Sequence, residues 1–329
     1  MRPFKAVSTS FEGIRLFQTP SDGTYKQTSA CKNPTWSSDI QDGARSVSRT
    51  DLQRLLVDAF RKRGGEIQWN SKFESLRTLE DGRVELTFAG AAAVEADLVV
   101  GADGGFSRVR RHILQQRNAT TADERWLPDY MSQSGFYAIS RISEDQRKLE
   151  DPEWATETHA QWLQGGILSS APLPGGRIRW DLILAAPEAP PPVDETAEVR
   201  IPTDAPAWAT ALMPSPYSSK DSIKVLNQFE NTFHPIAGTF GNLLAHAERI
   251  IRRPLRQRVW KADEIQHGSV VLIGDASRLM LPSSGQGAVI ALTQFYQVLT
   301  CSQAPDLPLR MPHSSLSSSS SRTATTLVR

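Results

Sequence analysis

Two short apolar runs stand out in the hydrophobic pattern, at residues 98–100 and 270–273, both rich in valine. Uninterrupted runs of this length and β-branched content predict strands covered on both faces. Each run is closed by glycine and aspartate, Gly101 with Asp103 and Gly274 with Asp275. Each then passes through a glycine-containing loop into a helical stretch, one starting at Ser107 and one spanning residues 288–299. Between them, residues 119–253 change character: alternating stretches such as GRIRWDLILA (176–185), punctuated by Pro172, Pro174, Gly175 and Gly176, predict an antiparallel sheet.

The remaining pattern is more local. Residues 13–18 and the segment after Ser21-Asp22-Gly23 predict a hairpin, and residues 33–43 a polar loop. A helix is expected from Thr50, which would cap it with Gln53 completing a capping box. Leu52, Leu55, Leu56, Ala59 and Phe60 would share its buried face, and Gly64-Gly65 would end it. Residues 66–69, 76–79 and 84–88 read as strands, the last two joined at Asp81-Gly82, and residues 205–213 and 242–251 as helices. Residues 187–192 read as a loop or stiff spacer.

The repeated order of strand, acid, glycine loop and helix has a chemical use. Ligands of open α/β sheets bind beyond the carboxyl ends of the strands. Asp275 would accept hydrogen bonds from sugar-like hydroxyls there, and Gly285 and Gly287 would let a ligand approach the backbone closely. The first turn of the following helix favours an anion or a ring gaining negative charge. The same residues also suit an ordinary βα turn in which the aspartate caps a helix. Arg49, just before its helix, is a candidate phosphate or carbonyl ligand. Arg108, Arg110 and Arg111 open a helix where the dipole disfavours cations, which calls for a bound anion or a nearby carboxylate.

Composition narrows the classes. A chain of 329 residues suggests about two domains. A net charge of +1 gives no sign of a nucleic-acid partner, and Arg249, Arg252, Arg253, Arg256 and Arg258, interrupted by Pro254, read as a solvated helix end and loop. Cys31 and Cys301 make no disulfide framework, and six scattered histidines suggest no metal site. The N-terminus lacks a signal-peptide core and no apolar run reaches the ~18 residues of a span, so a soluble, cytoplasmic protein is expected. Trp154, Trp162, Trp180, Trp208 and Phe136 would suit an apolar substrate or simply a core.

Three segments carry a family resemblance. GADGGFSRVR (101–110) resembles the Asp-Gly motif of the single-component FAD-dependent aromatic hydroxylases related to p-hydroxybenzoate hydroxylase. GDASRLMLPSSGQGA (274–288) resembles their Gly-Asp motif, and SVSRTDLQRLLVDA (46–59) the stretch bearing their FAD-contacting arginine. The resemblance covers residues 13–299 and implies an α/β (α+β) chain, a partial Rossmann-like FAD domain interleaved with an antiparallel substrate domain. It divides into 1–118 (first part of the FAD domain), 119–253 (substrate sheet), 254–300 (last part of the FAD domain) and 301–329 (a disordered Ser/Pro-rich tail).

By position, the resemblance implies that Arg49 contacts the FAD phosphate or ribityl region. Asp275 would contact the ribityl hydroxyls, and Gly287 with Ala288, after Gly285, the flavin's pyrimidine edge. Asp103 would order the groove for FAD and NAD(P)H. The implied reaction uses NADPH or NADH and molecular oxygen to hydroxylate or epoxidise an aromatic, polyketide- or terpenoid-like metabolite of secondary metabolism.

Several positions depart from the family. No GxGxxG occurs, Arg278 stands where histidine is usual, Val289 where asparagine is frequent, and residues 301–329 replace further helices. A truncated form is therefore expected. The competing reading is a non-catalytic remnant that binds a metabolite or partner but no flavin. A nicotinamide dehydrogenase fits less well, because the glycine and acid motifs come late in the chain.

Overall fold

A computed structural model describes residues 2–20, 22–32, 43–117, 119–191, 199–303 and 325–327. The chain forms two compact units, residues 1–66 with 132–255, and residues 67–131 with 256–329. Each is built from two separated stretches of chain, so residues 1–66 group with the antiparallel sheet.

In the first unit the sheet runs in the order Ala247–Val259, Asp129–Arg141, Arg177–Ala185, Gly166–Leu173, Thr158–Leu163, Gly13–Gln18 and Lys26–Lys32. The expected hairpin is present, with Gly13–Gln18 antiparallel to Lys26–Lys32. Strict alternation along Arg177–Ala185 buries Ile178, Trp180, Leu182 and Leu184 on one face. There they pack with Phe136, Leu226, Phe240 and Leu243 as one core. Trp154, Trp180 and Phe136 are thus core residues, whereas Trp162 stays 55% exposed.

On that same inner face sits a buried polar chain. His234 Nδ1 accepts from the backbone N–H groups of Ile236 (3.2 Å) and Ala237 (3.1 Å). This assigns the ring proton to Nε2, which lies 3.0 Å from Ser170 Oγ and donates to it. The Ser170 hydroxyl then faces His159 Nδ1 at 3.4 Å. Next to it, the Arg15 guanidinium is held by Glu157 at 2.6 and 2.9 Å and by Glu153 at 2.9 Å.

The expected first helix spans Arg49–Arg61, but its cap is Ser48, whose side chain accepts from Asp51 N. Ser48 takes the cap because the chain turns helical already at Arg49, placing Thr50 inside the first turn. The face predicted to be buried is not: the helix has no buried residue, and Leu56 and Phe60 are 53% and 50% exposed. Two other expectations are corrected in this unit. The predicted helix over 242–251 is a six-residue helix, Phe240–Ala245, followed by the strand Ala247–Val259. The arginine-rich run therefore lies along a strand, and Arg252 is buried against Asp221 and Ser222. Residues 205–213 contain only a short 3₁₀ turn, Ala207–Ala211.

The second unit centres on a small sheet in the order Gln266–His267, Val270–Leu272, Val99–Gly101 and Thr325–Leu327. Val99–Gly101 is fully buried and runs parallel to Val270–Leu272, as apolar runs covered on both faces should. Strands Phe73–Thr78, Val84–Phe88 and Val94–Ala96 form a meander beside it, with Phe73, Leu76, Val84, Leu86, Val99, Val109, Ile113, Val270 and Leu272 in one core. The Asp81-Gly82 turn is as expected, with Gly82 at φ 86°. Residues 66–69, predicted as a strand, are irregular and Trp69 is 56% exposed, and no strand among the described residues pairs with them.

The helix predicted over 288–299 spans Gly287–Gln303. Most of the expected 301–329 tail lies outside the described residues. Within it, the last three residues of that helix are ordered, and Thr325–Leu327 pairs in parallel with Val99–Gly101. The expected polar loop at 33–43 also falls almost wholly outside the described residues.

Candidate functional site

Parallel pairing places the carboxyl ends of Val99–Gly101 and Val270–Leu272 side by side, with Gly101 opposite Leu272 and Ile273 N donating to Gly101 O at 3.0 Å. Glycine at 101 lets the strands pack closely, since an added Cβ would sit 2.5 Å from Leu272 Cδ2 and force that side chain to shift. Both predicted acids, Asp103 and Asp275, therefore leave adjacent strands on the same edge, where α/β sheets bind ligands.

The two acids differ in their surroundings. One oxygen of Asp103, Oδ2, accepts from Arg108 N (2.7 Å) and Val109 N (3.2 Å) and so caps the helix Arg108–Arg117. Its other oxygen, Oδ1, is buried without a hydrogen-bond partner. Asp275 is exposed in the 3₁₀ turn Gly274–Ala276. Gly274 adopts φ 59° there, and Gln294 Oε1 accepts from both Gly274 N (2.7 Å) and Ser277 Oγ (3.1 Å). Gln294 thus ties the Asp275 turn to the helix Gly287–Gln303. Gln294→Leu should leave Gly274 N without its acceptor, while Ser277 Oγ keeps Gly274 O at 3.0 Å, and destabilise the unit by about 1–3 kcal/mol, read as a lower thermal midpoint.

Beyond that turn the chain opens a cradle. Gly285 takes the left-handed conformation at φ 63° after the turn Pro282–Ser284, and Gly287 begins the helix. An added Cβ at either glycine would meet nothing within 4 Å, and Ala288 is exposed beside them. First-turn amides of a helix lack intrahelical partners. Open backbone, free amides and an exposed carboxylate suit a flat, oxygen-rich ligand carrying hydroxyls at one end and a carbonyl-bearing ring at the other.

The residue that organises this edge is Arg110, whose weight the sequence hid. Its guanidinium is fully buried and donates to Gly105 O (2.6 Å), Ala276 O (2.6 Å) and Trp126 O (3.1 Å), while stacking 3.5 Å from the Trp260 ring centre. It bridges the loop after Asp103 to the loop after Asp275. Burial pulls its pKa down to about 9, which leaves it charged at neutral pH. Arg111 pairs with Asp123 at 2.7 Å, so protein acceptors account for these helix-opening arginines. The sequence signal was present in the cluster itself, three cations where the helix dipole disfavours them.

Arg49 lies in the other unit. It is exposed at the start of Arg49–Arg61, and no hydrogen bond or ion pair engages its side chain among the described residues. Asp51, in the same first turn, accepts from Arg177 at 3.3 Å, fixing this helix start to the strand Arg177–Ala185. Among the described residues no group of metal-ligating side chains occurs, and no helix is long and apolar enough to cross a membrane.

Comparison with known proteins agrees with this geometry. A family profile described as an FAD binding domain matches residues 35–142. An aurachin C monooxygenase/isomerase from Stigmatella aurantiaca is 26% identical over 231 residues, 70% of this chain and 49% of the relative. The chain thus spans about half the length of the curated relative it matches. The 2,6-dihydroxypyridine-3-hydroxylase of Arthrobacter nicotinovorans superposes with a TM-score of 0.63 at 17% identity, covering 92% of this chain and 70% of that one. PqsL of P. aeruginosa, solved with 2-aminobenzoylacetate, gives 0.62 at 13% identity, covering 92% and 71%. By sequence the chain is similar to an FAD binding domain and to a monooxygenase/isomerase, and its fold is that of FAD-dependent hydroxylases.

Proposed function

We propose that this chain acts as an FAD- and NAD(P)H-dependent monooxygenase on a small ring-containing metabolite in the cytoplasm. The observation that carries the reading is the shared edge of Val99–Gly101 and Val270–Leu272, where Asp275 and the Gly285–Gly287 cradle face outward while Asp103 and Arg110 hold the backbone in place. Asp275 would accept from the ribityl hydroxyls, and the amides at Gly287 and Ala288 would donate to the pyrimidine edge of the ring. FAD, when bound, supplies acceptance of hydride from NAD(P)H and activation of molecular oxygen.

The protein's own contribution is position and charge. Helix-end amides favour negative charge on the ring system, and the capped Asp103 keeps the first loop fixed without competing for the ligand. In the net reaction one oxygen atom of O2 enters the substrate, and the other leaves as water with two electrons from NAD(P)H and two protons. The relatives named above, together with a Klebsiella pneumoniae enzyme solved with FAD and uric acid, point to small planar compounds bearing oxygen and nitrogen. Secondary metabolism fits the aurachin relative. The test is oxygen uptake and NAD(P)H oxidation across a panel of phenols, hydroxypyridines and quinolines. Stimulation with formation of a product 16 mass units heavier supports the reading, and NAD(P)H oxidation with no oxygen uptake overturns it.

A further inference from the structure

The sheet of the first unit has a second face that the hydrophobic core does not use. Along Arg177–Ala185, residues Arg177, Arg179, Asp181 and Ile183 alternate with the core residues and project to this opposite face. Asp181 is paired in register with Tyr137 on one neighbouring strand and with Ser169 on the other, so the three form one row across the sheet. Asp51, at the start of the helix that Arg49 opens, reaches Arg177 on this same face.

Two members of the row are chemically unusual. Asp181 is a nearly buried carboxylate, its side chain 14% exposed, partnered by the half-exposed Arg179. Burial pushes its pKa up, while Arg179 and the Ser169 hydroxyl favour the charged form. The Tyr137 hydroxyl is shielded from water yet has no hydrogen-bond partner, and its ring lies back over Gly135. It is close enough to Asp181 for that charge to raise its pKa, after burial as the main cause, but the two are not hydrogen-bonded. A buried hydroxyl left unpaired costs stability and calls for a reason.

We infer that Tyr137 and Asp181, with Ser169 and Arg179 beside them, are a binding subsite for a neutral hydroxyl of an aromatic ligand, which donates to the Asp181 carboxylate and accepts from the Tyr137 hydroxyl. A carboxylate ligand would meet Asp181 as a like charge, with Arg179 already engaged, and would be rejected. An ether would leave Asp181 without its donor. Trp162, exposed two strands away on the same face in the row of Ile167 and Ile183, offers an apolar ring surface. The inference rests on the proposed monooxygenase reading for its purpose, since this would be where that enzyme selects its substrate, but it is tested by binding alone.

The experiment is titration calorimetry of the full chain, with and without saturating FAD, against three probes of one shape: 2-naphthol, 2-methoxynaphthalene and 2-naphthoate. The naphthol should bind at least about tenfold more tightly than either of the others. Tyr137→Phe should lower naphthol affinity about tenfold, leave the ether unchanged, and keep or raise the thermal midpoint, since it removes an unpaired buried group. A residue that only supports the fold would not give that combination. Asp181→Asn should weaken naphthol and relax the rejection of naphthoate.

Equal affinity for the three probes, tightest binding of naphthoate, or no binding of any of them overturns the inference, whatever the variants do. The outcomes separate the two readings. Discrimination among the probes in a chain that retains no flavin supports the subsite and sinks the monooxygenase reading. Retained flavin without discrimination sinks the subsite alone.

Discussion

Lowering the pH from 7 to 5 is expected to cost the folded chain about 4 kcal/mol, through two histidines that cannot take up protons while it is folded. Burial, and then the neighbouring His159, hold His234 well below its ordinary range. Burial, and then Arg15, push His159 down to about 3. In the unfolded chain both protonate below about 6.5. The unfolded state therefore binds more protons in this window, so stability is complete above pH 6.5 and is lost as pH falls toward 3. Each histidine contributes about 2 kcal/mol by pH 5.

The thermal midpoint should fall on the order of 10 °C between pH 7 and 5. His159→Asn should roughly halve that slope, because one of the two proton-binding differences is removed. A midpoint that does not move between pH 7 and 5 would contradict the neutral, buried placement of this pair.

Arg110→Met should have an effect of the same order. It strips donors from Gly105 O, Ala276 O and Trp126 O at once, and methionine offers no donor in place of the fully buried guanidinium. Unsatisfied buried acceptors cost about 1–3 kcal/mol each, so a loss of about 4 kcal/mol is expected. Arg110→Lys should recover little, since a point ammonium cannot span three separated carbonyls as a planar guanidinium does. Urea unfolding reads the stability. A flavin titration of the fraction still folded should give an affinity at least about tenfold weaker, because the bridge between the Asp103 and Asp275 loops is gone. Wild-type stability in Arg110→Met would show that the bridge does not hold the edge together.

The fold's ligand-binding edge was legible because its signals are local. Two valine-rich runs, each closed by glycine and aspartate, can be read within a few residues, and the strands and following helices lie where those runs place them. Competing local signals misled in two places. Ser48 and Thr50 both offer a capping oxygen, and the Thr50–Gln53 spacing suggested the later start, while the backbone is already helical at Arg49. At residues 242–251 a helix and a strand abut at His246 with no glycine or proline between them, so one continuous helix was inferred.

Other features were out of reach for a different reason. His159, Ser170 and His234 are brought together across separations of 11 and 64 residues, and Arg110 reaches Ala276 across 166. No periodicity encodes such meetings. The row of Tyr137, Asp181 and Ser169 likewise exists only through strand register. Gln294 was more accessible, as a polar residue within the apolar helix after the Gly-Asp loop, facing the Gly274 turn. The exposed apolar side of Arg49–Arg61 ran against the pattern, since amphipathic spacing alone does not say that a partner surface is present.

The central claim is that the paired strand ends, the Asp275 turn and the Gly285–Gly287 cradle hold FAD. The most direct measurement is the absorbance spectrum of the purified chain after incubation with FAD and desalting, beside Asp275→Ala. The account predicts a retained flavin band in the wild type, lost or strongly reduced in Asp275→Ala, with both proteins equally folded. A colourless wild-type chain, or a band that Asp275→Ala leaves unchanged, would contradict it.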